Sequence, residues 1–251
     1  PDCRCNSLNN SVADTAETRD QFGYALAWGD FNDDGYDDLA IGVPFEDVGT
    51  IADAGAVHVL RGGAGGLSST GSQLWTQNSS GVLDLCEASD WFGMSLAAAN
   101  FNGAGGWDLA IGVPGEAVGT IAYAGAVNVL YAAASGLVSA GNQLWTQDSA
   151  GIAGGAEAND YFGRSLAAGH LNFDGVWGPV YADLVVGVPY EDITFAEAGC
   201  FHVIYGTATG LASAGNQLWT QDSAGIADSV EAYDYFGWSF AIDDLNYDSL
   251  G

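Results

Sequence analysis

The feature that most limits what this chain can become is a five-residue phrase that it uses three times. Gln73-Leu74-Trp75-Thr76-Gln77 returns as Gln143 to Gln147 and again as Gln217 to Gln221. Two further phrases keep the same step. Phe22-Gly23 returns at Phe92-Gly93, Phe162-Gly163 and Phe236-Gly237, and Ile41-Gly42-Val43-Pro44 returns at Ile111 to Pro114 and as Val186 to Pro189. Counted from Phe22, the steps are 70, 70 and 74 residues, the extra length falling around Trp177 to Ala182. A sequence that repeats at this scale folds as copies of one unit, each burying its apolar face against its neighbour.

Within a unit the signals are those of short strands. Leu39, Ile41 and Val43 alternate with Ala40 and Gly42, and Val57 and Val59 alternate with Ala56, His58 and Leu60, the period of two that a pleated strand imposes. Further segments lie at Tyr24 to Trp28 and around Leu74-Trp75-Thr76, and stretches rich in Gly, Ser, Asn and Asp separate them as turns require. Four short strands per unit predict an all-β fold of β-propeller blades. A β-solenoid is the competitor, but its coil is much shorter than this period. The expected units are 22–91, 92–161 and 162–235, with 1–21 as the tail of a preceding repeat and 236–251 as the start of a fourth. Glu17-x-x-Asp20-x-Phe22-Gly23 matches Glu87-x-x-Asp90-x-Phe92-Gly93, which supports that reading of the tail. About three and a half units are expected to be a piece of a larger propeller, or to be completed by a neighbour.

Between the first two strands of unit one lies Asp30-Phe31-Asn32-Asp33-Asp34-Gly35-Tyr36-Asp37-Asp38. Side-chain oxygens fall at loop positions 1, 3, 5 and 9, and Gly35 permits the sharp turn. Calcium takes six to eight oxygens, which alternate residues of a tight loop supply, with a main-chain carbonyl at position 7. The expected ligands are therefore Asp30, Asn32, Asp34, the Tyr36 carbonyl and Asp38, with Ca2+ as the ion. A plain hairpin turn at Asp34-Gly35 is the simpler alternative, but it does not account for four correctly spaced oxygens. The second unit has lost this set: Asn100 stands at the first position and Ala104 at the fifth. Weaker candidates are Asn172, Asp174 and Asp183 in the third unit, where His170 stands first, and Asp244, Asn246 and Asp248 in the fourth.

Phe22-Gly23, Asp30-x-Asn32-x-Asp34-Gly35-x-x-Asp38 and Gly42-Val43-Pro44 resemble the FG-GAP repeat of integrin α subunits, and the Gly-Asn-Gln-Leu-Trp-Thr-Gln-Asp-Ser wording is similar to bacterial secreted integrin-like proteins. The resemblance implies a propeller, calcium in β-hairpin loops and an extracellular or cell-surface setting. The unit here is longer than the integrin one, and no residue maps onto integrin ligand contacts.

Charge narrows the partners. The formal net charge is −28, with four arginines and no lysine, which excludes the phosphate grip of a nucleic-acid binder and argues against docking on anionic lipid. No apolar run is long enough to span a membrane. Four cysteines (Cys3, Cys5, Cys86 and Cys200) allow three pairings, and buried thiols are an equal alternative to disulfides. Catalytic signatures such as G-x-S-x-G, H-E-x-x-H and a phosphate loop are missing. The carboxylates at Glu17, Glu87, Glu157 and Glu231, and at Asp20, Asp90, Asp160 and Asp234, recur in register, which favours structure over a single asymmetric active site. Trp75, Trp145 and Trp219 recur too and read as blade packing, or as sugar platforms in a lectin. The leading reading is a non-enzymatic, extracellular calcium-binding propeller for adhesion or ligand binding, its partner a protein or a glycan. Two alternatives stay open: a structural unit that binds copies of itself head to tail, and a lectin-like or accessory module of a secreted enzyme.

Overall fold

In a computed structural model, which describes residues 16–172 and 180–242, twelve strands form three sheets of four. The first sheet holds β1 (Leu26–Gly29), β2 (Asp38–Val43), β3 (Ala56–Arg61) and β4 (Ser68–Trp75). The second holds β5 (Ser95–Ala99), β6 (Asp108–Val113), β7 (Ala126–Ala133) and β8 (Gly136–Trp145), and the third holds β9 (Ser165–Gly169), β10 (Asp183–Val188), β11 (Cys200–Tyr205) and β12 (Ala212–Trp219). Each sheet is an antiparallel meander in chain order, the architecture of a propeller blade. The register repeats as well: Leu39 pairs with Leu60, and Leu109 pairs with Leu130. A break in register recurs between Val59 and Arg61, Val129 and Tyr131, and Val203 and Tyr205. No helix occurs among the described residues.

The cores lie between blades. Ala40, Val57 and Val59 of the first blade pack with Leu109, Ile111, Val113 and Leu130 of the second. Ala110, Val127 and Val129, on the other side of the second blade, pack with Leu184, Val186, Val188 and Ile204 of the third. This explains why β6 and β10 are buried along their whole length: alternation places half of each strand on either face, and both faces are covered.

Two motifs of the repeat turn out to be halves of one joint. A Cβ on Gly42 would lie 2.1 Å from the Gly93 carbonyl oxygen, and one on Gly112 would lie 2.2 Å from that of Gly163. The glycine of each Ile-Gly-Val-Pro phrase therefore makes room for the main chain of the next Phe-Gly pair. A second fastening uses Gln73, which donates to the Leu137 carbonyl at 2.8 Å and accepts from the Leu137 N–H at 3.1 Å. Gln143 makes the same pair of bonds to Leu211. The first glutamine of the five-residue phrase is thus a clamp on the next blade.

Candidate metal centre

The hairpin between β1 and β2 is held by its own side chains. Asp30 Oδ1 accepts the Asp34 N–H at 3.0 Å, and Asp30 Oδ2 accepts the Gly35 N–H at 2.7 Å. Asn32 Oδ1 accepts the Asp34 N–H at 3.1 Å, and Asp34 Oδ1 accepts the Tyr36 N–H at 2.9 Å. Gly35 has φ +87 and Asp33 φ +57, the left-handed conformations that tighten the turn. Phe31 anchors it from beneath, being fully buried in the core between the first two blades. Asp30, Asn32 and Asp34 are thereby gathered into one turn. Tyr36 is half exposed beside them.

Asp38 faces elsewhere. It is 1 % exposed, its Oδ1 accepts the Gly62 N–H at 2.8 Å and its Oδ2 pairs with Arg61 at 3.2 Å. Burial raises its pKa against these bonds. The same position recurs: Asp108 accepts the N–H groups of Phe101 and Ala132 at 2.8 and 2.9 Å, and Asp183 accepts those of Leu171 and Gly206 at 2.8 and 3.0 Å. Burial lifts Asp108 to about 6. In every blade this aspartate ties the second strand to the turn or to the end of the third. The loop's ligand chemistry still fits a calcium-class ion, because every donor is a hard oxygen and a carboxylate that accepts two N–H groups keeps lone pairs for a metal. Of the weaker candidates, Asn172 bonds to Asp183 at 3.4 Å, while Asp174, Asp244, Asn246 and Asp248 lie outside the described residues.

At the opposite ends of these strands the second glutamine of the five-residue phrase meets an acid of the next blade. Gln77 Nε2 donates to Glu116 Oε2 at 2.6 Å, and Gln147 Nε2 donates to Glu191 Oε2 at 2.7 Å. Asp90 accepts the Glu87 N–H beside the first pair, and Asp160 accepts the Glu157 N–H at 2.5 Å beside the second. These bonds explain the recurring Glu-x-x-Asp. Burial and neighbouring carboxylates raise Glu116 to about 8 and Asp90 to about 6. Sequence reasoning passed over Glu116, Glu191 and their glutamines, although Pro-x-Glu recurs at Pro44-Phe45-Glu46, Pro114-Gly115-Glu116 and Pro189-Tyr190-Glu191.

His202 and Trp145 serve packing. His202 is fully buried, burial lowers it to about 4, and its ring lies 5.5 Å from that of Phe162. Trp145 is buried in the core between the second and third blades. Cys86 and Cys200 are buried thiols, and Cys3 and Cys5 lie outside the described residues. A row of aromatic rings crosses the blades at their loop ends. Trp91 stacks on Tyr123 at 6.0 Å and on Tyr161 at 6.1 Å, and Tyr161 leads through Tyr190 to Tyr235 at 5.2 and 5.3 Å. Trp91, Tyr123, Tyr161 and Tyr235 all have positive φ, between 53 and 60, a conformation that disfavours bulky side chains.

The chain is similar in sequence to known proteins. Residues 22–60 match the family model described as FG-GAP repeat. Human integrin alpha-7 is 33% identical over 170 residues, 66% of this chain and 12% of the integrin. Integrin alpha-PS2 of Drosophila melanogaster is 30% identical over 179 residues, 69% of this chain and 12% of that protein. Bovine phosphatidylinositol-glycan-specific phospholipase D is 29% identical over 175 residues, 64% of this chain and 21% of the enzyme. The chain thus spans about a fifth or less of these relatives. A repeat match in the first blade, three four-stranded blades and integrin α relatives agree: the chain carries the FG-GAP repeat at residues 22–60 and is similar to integrin α subunits over about two thirds of its length.

Proposed function

We propose that this chain is a non-enzymatic, extracellular ligand-binding segment of a β-propeller, stabilised by Ca2+ in the loop from Asp30 to Asp38. The observation that carries the metal is the convergence of Asp30, Asn32 and Asp34 on one turn. Asp38 would join them by giving up one of its contacts with Gly62 and Arg61, and the Tyr36 carbonyl would supply the fifth ligand. The ligand-binding part draws on the integrin α relatives and on the aromatic row. Holding aromatic residues in the left-handed region costs of order 1 kcal/mol each, and exposed or half-buried rings recover little of that by burial. They form a sticky surface of the sort that binds a protein partner. The phospholipase relatives match over a fraction of their length, which suits a propeller carried beside a catalytic domain rather than one that performs the chemistry.

Calcium titration of thermal stability tests the metal. An ion that binds only the folded state at about 100 times its Kd adds about 2.7 kcal/mol, a shift of roughly 5–10 °C for a chain of this size. The rise is expected to vanish in EDTA and to shrink in Asp34→Ala. An identical response in Asp34→Ala would move the ion out of this loop.

A further inference from the structure

The turn that follows the fourth strand of each blade is built alike in all three units, yet the first unit spells it differently. Thr146-Gln147-Asp148-Ser149-Ala150-Gly151 and Thr220-Gln221-Asp222-Ser223-Ala224-Gly225 agree residue for residue, whereas the first unit has Thr76-Gln77-Asn78-Ser79-Ser80-Gly81. In each turn the first serine's Oγ accepts the threonine N–H at 2.9 Å. The third residue then closes a longer loop through its Oδ1. Asp148 accepts the Ala156 N–H at 3.0 Å, Asp222 the Val230 N–H at 3.2 Å and Asn78 the Cys86 N–H at 3.3 Å. Asparagine thus fills the structural role of the aspartate with its oxygen and adds an amide nitrogen that this role does not use. Asn78 and Ser80 are both exposed. Among the described residues, neither Asn78 Nδ2 nor Ser80 Oγ has a hydrogen-bond partner. The two departures, Asn for Asp at 78 and Ser for Ala at 80, together create Asn-x-Ser, the acceptor motif of N-linked glycosylation. Either one alone would not.

The same loop departs from its counterparts in a second way. Leu83 and Leu85 are 45 % and 68 % exposed, where the second unit has Ala153 and Gly155 and the third has Ala227 and Ser229. The N–H that Asn78 accepts belongs to the peptide between Leu85 and Cys86, so Leu85 stands beside the amide. The unit that carries the acceptor motif is therefore the one that leaves two leucines in water next to it.

We propose that Asn78 carries an N-linked oligosaccharide whose first N-acetylhexosamine lies over Leu83 and Leu85. The proposal rests on the extracellular setting proposed above, because the sugar donor, an oligosaccharide on a polyprenyl diphosphate, is met on the secretory route. In the transfer, Asn78 Nδ2 forms a bond to the anomeric carbon as the bond from that carbon to the diphosphate oxygen breaks. The diphosphate leaves with the electron pair, and Nδ2 releases one proton to solvent. Oδ1 is untouched, so the bond to Cys86 survives and the turn keeps its shape. The C–H face of the sugar ring removes leucine surface from water, while its hydroxyls keep the loop soluble.

Production of the chain behind a cleavable secretory leader in a eukaryotic host tests this, with Asn9→Gln present throughout because Asn9-Asn10-Ser11 is a second acceptor motif. The supplied leader fixes the route, so a native host that keeps the chain inside the cell would defeat the extracellular reading without altering this result. Peptide N-glycosidase is expected to lower the mass of the secreted protein by one glycan and to leave aspartate at position 78, read from peptide masses. Asn78→Asp and Ser80→Ala bring in the residues that the second unit carries at these places, and each should abolish the glycan with the fold intact, which melting checks. Trimming to the first sugar should leave the binding of an apolar dye unchanged. Removing that sugar should raise it, and Leu85→Ser, the third unit's residue, should cancel the rise. A secreted, folded chain with no sugar on Asn78 overturns the proposal, and dye binding that ignores loss of the first sugar overturns its placement over the leucines.

Discussion

The hairpin loop at Asp30–Asp38 and the joint at Glu87, Asp90 and Glu116 lie at opposite ends of the strands, both are rich in carboxylates, and they satisfy those carboxylates differently. In the loop, acids accept N–H groups from the turn they build, so Asp30, Asn32 and Asp34 stand on the surface already partnered. At the joint, acids from separate segments meet, Asp90 and Glu116 buried and Glu87 on the surface, and burial raises the pKa of both buried carboxyls. The bonds of the loop are local, all within five residues, and need no second blade. A joint of this kind exists only once two blades have met, so whatever neutralises it also favours assembly.

The same contrast separates glycines. Gly112 belongs to a joint, where an added Cβ would meet the Gly163 carbonyl at 2.2 Å. Main chain cannot yield as a flexible side chain does, so Gly112→Val is expected to cost more than about 3 kcal/mol, above the usual overpacking range. A denaturant or thermal melt should show a loss near 10 °C or failure to fold. A mild melt for Gly112→Val would mean that the blades are joined more loosely than their backbones suggest.

A smaller effect concerns protons at the second joint and at the strand aspartate. Burial raises Glu191 to about 7 and Asp160 and Asp108 to about 6, above their ordinary values of 4.5 and 3.8. The folded state therefore binds protons more tightly than the unfolded chain. That contribution is complete below about pH 4 and is lost as pH rises towards 7. His202 runs the other way, with its ordinary 6.5 lowered to about 4, so its contribution is present above 6.5 and lost on acidification. Three carboxyls outweigh one imidazole. In EDTA the melting temperature is expected to rise by several degrees from pH 7.5 to pH 5, and Glu191→Gln should flatten the rise. A melting temperature that falls over this range would show these carboxyls to be charged in the folded protein.

The smallest effect belongs to the loop glycine. Gly35 has φ +87 and nothing within 4 Å of an added Cβ, so Gly35→Ala meets only the backbone penalty, about 1 kcal/mol. A drop of 2–4 °C in melting temperature is expected. A drop as large as that of Gly112→Val would erase the distinction between turn and joint.

Much of this architecture could be read from the residues. Alternation at Leu39, Ile41 and Val43 places β2, and the recurrence of the phrase at Trp75, Trp145 and Trp219 counts the blades. The start of the first strand lies at Leu26 rather than Tyr24, since the Tyr24 N–H bonds to Gln21 and Gly42 in the turn that precedes the strand. Asp38 shows the limit of spacing arguments. Its place nine residues along the loop marks it as a ligand, whereas its contacts with Arg61 and Gly62, 23 and 24 residues away, depend on β3 folding back beside it. The partnership of Gln77 with Glu116 was further out of reach. They are 39 residues apart and meet only through the packing of two sheets. No local period encodes such a meeting, although the recurrence of Pro-x-Glu was a visible trace of it.

The joints made by Gly42 with Gly93 and Gly112 with Gly163 carry a consequence for how such a chain grows. Each is an encounter of one backbone with another, and both halves of the fit are written into every unit. Duplicating a unit in the gene therefore duplicates a matched plug and socket, and the copy needs no compensating side chains to seat against its parent. Selection is then free to let the exposed loops drift, as they have between Asp30–Asp38 and Asn100–Asp108, so one copy can keep its acids while the next discards them.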